Sequence, residues 1–154
     1  MNENYDPNTA GMFTLTKELY VKGWTSWGSR STRREYWLGG VGWALLMLPL
    51  TILYLYSMDW SVSYSQLDNP FAMYTTLTWV CYIIMILAGF IPGIGSAVRR
   101  FHDIGRSGWW YVLFTLLSLI PLISLISGIW MLVWLCSDSV PGTNKWGMSP
   151  KYKK

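Results

Sequence analysis

Residues 99–110 read Arg-Arg-Phe-His-Asp-Ile-Gly-Arg-Ser-Gly-Trp-Trp, and their charged part, 99–106, separates two long runs that contain no charged side chain. These runs extend over 69–98 and 107–137, and a third covers 36–58. Each run can supply the roughly 20 apolar residues that cross about 30 Å of hydrocarbon. The charged stretch is therefore predicted to lie at a membrane surface, between one span and the next.

Composition and charge distribution favour the same interpretation. The chain has 154 residues, the size of one domain, with 52% hydrophobic and 13% charged residues, whereas about 25% of a soluble domain is charged. Every Lys and Arg precedes the first run, follows the second or lies in the tail, and the connector that carries Asp59 and Asp68 has none. This asymmetry predicts that the basic segments and both termini are cytoplasmic, and it disfavours nucleic-acid binding.

The predicted fold is an all-α integral membrane protein, a small polytopic helical bundle. Two full spans are expected at about 36–56 and 71–91, with Pro92, Gly93 and Gly95 interrupting the second. An amphipathic helix over 13–27 is expected in the interface, where its aromatic residues prefer the headgroup level, and the alternative is a soluble-facing linker. Its aromatic residues are Phe13, Tyr20, Trp24 and Trp27.

The third run is too long for one straight crossing and too short for two. Its 31 residues, 107–137, would form a helix of roughly 46 Å. The lysines of the tail favour a cytoplasmic C-terminus, so the chain should turn back near Pro121. We predict a tight or re-entrant helical hairpin over 109–136, formed by helices Trp109–Ile120 and Leu122–Cys136. A single kinked span with an external tail is the alternative.

The domain boundaries follow from these spans. Residues 1–12 are predicted to be a disordered polar N-terminus, 13–137 a single membrane domain and 138–154 a basic cytoplasmic tail.

Local spacing gives expectations for the charged stretch itself. Asp103 is four residues after Arg99 and three before Arg106, so on one helix these side chains would share a face and pair. Gly105 is suited to end that helix in the left-handed conformation, and Ser107 to cap a helix that opens at Trp109. The sequence therefore predicts a tight turn between two membrane helices.

Three motifs resemble a known family. The centre is 99–110, with Phe101 where the family has Leu. The entry is Ser-Arg-Ser-Thr-Arg-Arg-Glu-Tyr-Trp at 29–37, with Ser29 in place of the usual Gly. The exit comprises Pro141, Gly142, Asn144, Lys145, Trp146, Gly147 and Pro150. The chain resembles the domain of unknown function 805 family of small bacterial inner-membrane proteins over about 13–150. That resemblance implies a multi-pass protein of the bacterial inner membrane and brings no established activity.

Candidate functional residues fall into two groups. The headgroup or partner-binding candidates are Arg30, Arg33, Arg34, Arg99, Arg100 and Arg106. The structural motif comprises His102, Asp103, Gly105, Ser107, Gly108 and Trp109. Juxtamembrane arginines are attracted to anionic phospholipids, and they can equally anchor helices with no ligand. The predicted partner is the lipid bilayer, and a homo-oligomer or a membrane-protein partner stays open.

A non-enzymatic role is the favoured interpretation, with no catalytic residue, cofactor or metal assigned. One alternative is an enzyme that uses His102 and Asp103, but neighbours on a helix point about 100° apart, so Asp103 is poorly placed to orient His102. A single His also leaves a metal site short of ligands. The other alternative is a transporter or channel subunit. Ionisable residues within the membrane usually mark such pathways, but the predicted spans contain no Asp, Glu, Lys, Arg or His.

Overall fold

The computed structural model describes residues 5–57 and 71–152, with the side chains of 53, 56, 57 and 71–78 left aside. The predicted outer connector with Asp59 and Asp68, residues 1–4 and the last two lysines lie outside the described residues. Five helices and one small hairpin make up the described part: α1 (Met12–Thr25), α2 (Arg33–Ser57), α3 (Phe71–Asp103), α4 (Trp109–Leu117), α5 (Pro121–Cys136), β1 (Thr143–Asn144) and β2 (Gly147–Met148).

Helix α3 carries the strongest membrane signal. Its segment Trp79–Asp103 contains an 18-residue window with a mean hydropathy of 2.0, and it is the one helix of the described residues that is long and apolar enough to span a membrane. Large apolar side chains such as Ile84 and Leu87 point outwards from it. In water such a surface would be unfavourable, whereas hydrocarbon accepts it. The described architecture is thus helical, as predicted.

The expected interruption of α3 at Pro92 is wrong, because the helix continues to Asp103. Pro92 packs against Gly23 of α1, where a Cβ would collide with it. Gly95 likewise approaches the Gly23 backbone too closely for any side chain. A proline is tolerated within a membrane helix when a neighbouring helix covers it. Gly23 and Gly95 therefore allow α1 to pack closely against α3, and α3 stays continuous.

Helix α1 lies against both long helices. Leu15 and Leu19 are buried, and Thr16 leaves no room for a side chain at Gly42. Two of the aromatic residues, Phe13 and Trp24, are exposed on the opposite side. Leu15 and Leu19 therefore face the protein, whereas these two aromatic residues face outwards. Residues 5–11 before it contact the bundle, since the Pro7 carbonyl accepts a hydrogen bond from Arg34 at 2.9 Å.

Helices α4 and α5 are joined into a helical hairpin by a turn over 118–120, and α4 ends at Leu117 instead of the predicted Ile120. The backbone N–H groups of Ser118, Leu119 and Ile120 donate to carbonyls of the last turn of α4 at 3.0–3.2 Å. The turn therefore leaves these backbone donors satisfied. The hairpin is joined to α3 by an aromatic group in which Phe101, Phe114 and Trp134 contact one another.

The charged stretch ends α3 in the predicted way. Gly105 has φ +76°, Arg106 N–H donates to the Phe101 carbonyl at 2.8 Å and Gly105 N–H donates to the His102 carbonyl at 3.1 Å. This is a Schellman motif. Ser107 is not the cap of α4, because Gly108 occupies that position and makes no side-chain cap. A Cβ on Gly108 would meet Val98, so a close approach to α3 explains the glycine.

Replacing Phe114 with Ala tests the attachment of the hairpin. Phe114 is buried between α3 and α5, so the variant should lose about 3 kcal/mol of stability. Leu122→Ala is the matched control, because Leu122 is 87% exposed at the tip of the hairpin. Thermal unfolding in detergent should show a lower midpoint for Phe114→Ala alone, and equal midpoints for both variants would contradict this packing.

Candidate functional site

Five charged side chains are buried where α2, α3, α5 and the tail meet. They are Arg30, Glu35, Arg99, Arg100 and Asp103, none of them more than 4% exposed. We call these five residues the charged cluster. A buried charge is unfavourable unless partners replace the water that it loses. The partners of each residue therefore determine what the cluster does.

Asp103 lies at the centre of the charged cluster. Its carboxylate accepts hydrogen bonds from Arg30 Nε at 3.0 Å, from Arg100 Nη1 at 2.6 Å and from the Ser139 hydroxyl. Its backbone carbonyl accepts two more, from Arg30 Nη2 at 3.1 Å and Val140 N at 3.0 Å. One residue at the end of α3 thereby holds the α2 entry, a neighbouring turn of its own helix and the tail.

Arg30 fastens the tail to the rest of the protein. Its Nη1 donates to the carbonyls of Gly142 and Gly147 at 3.0 and 3.1 Å, and its Nη2 also reaches the Val140 carbonyl. A planar guanidinium with five donors can bind several acceptors in a fixed geometry, which Lys cannot do. Within the described part of the predicted basic tail, the β1–β2 hairpin is consequently attached to Arg30.

Arg100 binds the C-terminal end of α5. Its Nε donates to the Leu135 carbonyl at 3.0 Å, and its Nη2 donates to the Ser137 carbonyl. The last carbonyls of a helix lack partners within the helix and carry partial negative charge, so a cation there is favourable. Arg100 Nη1 also reaches the Ser31 carbonyl at 3.3 Å, which ties α5 to the entry of α2.

The predicted pairing of Arg99 with Asp103 is not observed. Arg99 Nη2 instead donates to the Glu35 carboxylate on α2, and both side chains are buried. Ser31 N–H donates to the Arg99 carbonyl at 3.2 Å, which brings the start of α2 against this turn of α3. The i,i+4 spacing would allow Arg99 to pair with Asp103 on the same helix. Packing of α2 against α3 instead places Glu35 beside Arg99. Arg99 Nε and Nη1 have no hydrogen-bond partner among the described residues.

The remaining candidate arginines lie at the edge of the charged cluster. Arg106 is exposed beyond the end of α3, where its guanidinium lies 4.7 Å from the Trp134 ring, and it does not pair with Asp103 as predicted. Arg33 forms an ion pair with Asp138 at 3.2 Å. Hydrogen bonding to Lys151 and to Ser139 N–H holds the pKa of the Asp138 carboxyl below its ordinary value.

His102 is occupied by packing contacts. Its ring stacks on Trp146 with 4.3 Å between centroids, and Nδ1 lies 3.3 Å from the Ser29 carbonyl. Its backbone carbonyl accepts a hydrogen bond from the Asn144 side chain at 3.0 Å. Within 5–57 and 71–152, no group of three His, Cys, Asp or Glu residues is arranged to hold a metal.

Sequence reasoning missed several members of this site. Glu35, Ser139, Asn144 and Trp146 all touch it, and none was among the candidate residues. For Glu35 the only signal lay in the entry motif, and for Asn144 and Trp146 it lay in the exit motif, whereas Ser139 belongs to neither. The three motifs are far apart in sequence but meet in the structure. Arg30 of the entry binds Asp103 of the centre and the carbonyls of Gly142 and Gly147 in the exit.

Helices, exposed apolar surface and a charged cluster at the end of the long apolar helix define a small helical membrane protein. The chain belongs to a family of proteins of unknown function, DUF805, which matches residues 24–148. This confirms the resemblance drawn from the three motifs.

Two bacterial relatives are similar along most of their length. The inner membrane protein YhaI of Escherichia coli strain K12 is 26% identical over 132 residues, which cover 86% of this chain and 92% of that protein. The inner membrane protein YhaH of the same strain is 28% identical over 131 residues, with 85% and 92% covered. No solved structure matches significantly. These relatives support a bilayer environment and carry no biochemical activity in their names.

Neutralising Asp103 tests the charged cluster. Asp103→Asn leaves Arg30 and Arg100 buried without a counter-charge, so a loss of about 3 kcal/mol or more is expected. Asp138→Asn is the matched control, since Asp138 is 49% exposed and its ion pairs contribute about 1 kcal/mol or less. Thermal unfolding in detergent reports both, and an Asp103→Asn midpoint no lower than that of Asp138→Asn would contradict the assignment.

Proposed function

We propose that this chain is a non-enzymatic inner-membrane protein whose charged cluster organises its helices at the cytoplasmic face. In this proposal, the arginines left at the edge of the cluster, Arg33, Arg34 and Arg106, hold anionic lipid headgroups. The observation that carries it is the set of bonds around Asp103, which joins Arg30, Arg100 and Ser139. Arg30, Arg99 and Arg100 are buried. In this proposal they hold the helices and the tail together by internal hydrogen bonds and do not bind headgroups.

The contacts favour organisation over acid–base chemistry. The Asp103 carboxylate accepts three hydrogen bonds, and His102 is stacked and 8% exposed. A general base must reach the proton that it removes from a substrate. Neither side chain is free to do so in this arrangement, and nothing observed favours the transporter alternative.

The proposed topology places both termini in the cytoplasm and makes α4–α5 a re-entrant hairpin. Arg100 binds the end of α5 and Arg30 binds the tail, so the base of the hairpin lies beside the end of α3. Helix α5 has 16 residues, or about 24 Å, which is shorter than the hydrocarbon core. A hairpin of this length that starts and finishes on one side need not cross.

Cysteine labelling distinguishes the topologies. With Cys81 and Cys136 replaced by Ser, a cysteine at Lys145 should react with a membrane-impermeant maleimide only after the inner membrane is opened. A cysteine at Leu119, in the hairpin turn, should react from neither side because it would lie in hydrocarbon. Labelling of the Leu119 position in intact cells with a permeable outer membrane would mean that the hairpin crosses the bilayer, and the re-entrant proposal would fall.

Headgroup binding is tested by lipid enrichment around the purified protein. A basic side chain near an anionic leaflet contributes about 1 kcal/mol, or roughly fivefold in affinity. Arg33→Gln and Arg34→Gln should each lower the ratio of bound phosphatidylglycerol to phosphatidylethanolamine, measured by mass spectrometry of co-purified lipid. Lys145→Gln is the matched control, because it removes one positive charge from the tail hairpin. Equal loss in all three variants would indicate net charge alone and would refute specific headgroup binding.

A further inference from the structure

A groove of about 340 Å³ separates α2 from α3 beside α1. Its lining is mostly apolar and aromatic, with Tyr36 and Trp37 towards the start of α2, Tyr20 and Trp43 stacked at 4.8 Å further along, and Pro92 from α3. This volume is in the range of small-molecule sites in proteins. None of the five residues of the charged cluster lines this groove.

Two glycines keep the groove open. At Gly40 on α2 and Gly93 on α3, a Cβ would meet no atom within 4 Å. Other glycines of these helices behave differently, since Gly39 contacts Leu19, Gly42 contacts Thr16 and Gly89 contacts Trp43. Gly40 and Gly93 therefore do not serve helix packing in this fold, and both line a space wide enough for another molecule.

The chemistry of the lining favours an apolar occupant. The Ser96 hydroxyl, a polar group of the α3 wall, already donates to the Gly93 carbonyl at 2.8 Å. Gly89, Pro92, Gly93 and Ser96 all belong to the segment Trp79–Asp103, which is long and apolar enough to span the membrane. A groove at that depth meets acyl chains and not water.

Charge at one end of the groove indicates which lipid it would take. Arg33, Trp37 and Gly40 are at i, i+4 and i+7 on α2, so they share a face and Arg33 lies one turn beyond the lining. Its side chain is 46% exposed, although Nη2 pairs with Asp138 at 3.2 Å and Nη1 donates to the Cys136 carbonyl at 3.3 Å. Arginine binds phosphate oxygens well in such a position.

We propose that this groove holds one acyl chain of an anionic phospholipid, with the lipid phosphate at Arg33. The acyl-chain site is inferred from the groove itself. The placement of the phosphate at Arg33 rests on the headgroup binding proposed above. A second copy of the chain is the other candidate occupant, and the experiment separates the two.

Filling the groove tests the acyl-chain site. Gly40→Leu and Gly93→Leu each place a side chain in the space without a backbone collision, whereas Gly128→Leu on α5 is the matched control, because Gly128 is also helical and open but lies outside the groove. Purified protein is incubated with palmitoyl-oleoyl phosphatidylglycerol and examined by native mass spectrometry. The unsubstituted protein and Gly128→Leu should retain one lipid, and each groove variant should retain at least tenfold less. Thermal midpoints confirm folding, and Gly40→Ala and Gly93→Ala give a graded series if a Leu variant unfolds.

The outcomes separate the two proposals. Retention of lipid by both groove variants at the level of Gly128→Leu overturns the acyl-chain site. A change in the dimer fraction without a change in bound lipid also overturns it and makes the groove an interface between copies. Arg33→Gln should keep palmitoyl-oleoyl phosphatidylcholine bound while lowering the preference for phosphatidylglycerol at least threefold. If Arg33→Gln changes no preference but the groove variants lose lipid, the acyl-chain site stands and the headgroup proposal fails.

Discussion

The structure depends on the ionic contact between Asp103 and the two guanidinium groups of Arg30 and Arg100. In water this contact would contribute little, because solvent screens an exposed pair. Here all three side chains are buried, and removing one member would leave a charge with no water to replace its partner. The contact consequently makes the positions of the α2 entry, the end of α3 and the tail depend on one another. Segments distant in sequence become one unit.

The fold reverses the usual distribution of polar and apolar residues. Its least exposed large side chains include Arg99 and Arg100, whereas leucines and isoleucines cover the outside. A bilayer explains the outside, because lipid is as apolar as these side chains and gives no reason to bury them. Without a hydrophobic driving force between helices, hydrogen bonds and close packing at small residues hold them together. The charged cluster and the contacts at Gly23, Gly39 and Gly42 supply both.

Local chemistry was predictable, and long-range partners were not. Gly105 ends α3 with positive φ because the left-handed position favours glycine wherever it occurs, and Pro121 begins α5 because its missing N–H is harmless at a helix start. The pairing of Arg99 required knowledge that α2 presents Glu35 at the same level. The continuity of α3 through Pro92 required knowledge that α1 covers that turn. Helical spacing contains neither fact.

The tail shows the same division. Its lysines predicted a cytoplasmic segment, whereas its folded hairpin comes from acceptors that Arg30 finds more than 100 residues away. Charge rules give the side of the membrane on which arginines lie and not their burial, so they could not predict that Arg30, Arg99 and Arg100 are buried. The proposed lipid groove could not be predicted either. In the sequence, Gly40 and Gly93 look the same as glycines that allow close helix packing, and only the structure shows that they face open space.

Hydrogen exchange in the tail tests the central claim most directly. Val140 N–H donates to the Asp103 carbonyl and Ser149 N–H to the Gly142 carbonyl, and the arrangement of both depends on Arg30. In the purified protein these two amides should exchange far more slowly than in an unstructured peptide, and Arg30→Gln should remove that protection while α2 and α3 stay protected. Exchange of Val140 and Ser149 at the unstructured rate in the unsubstituted protein would contradict the account.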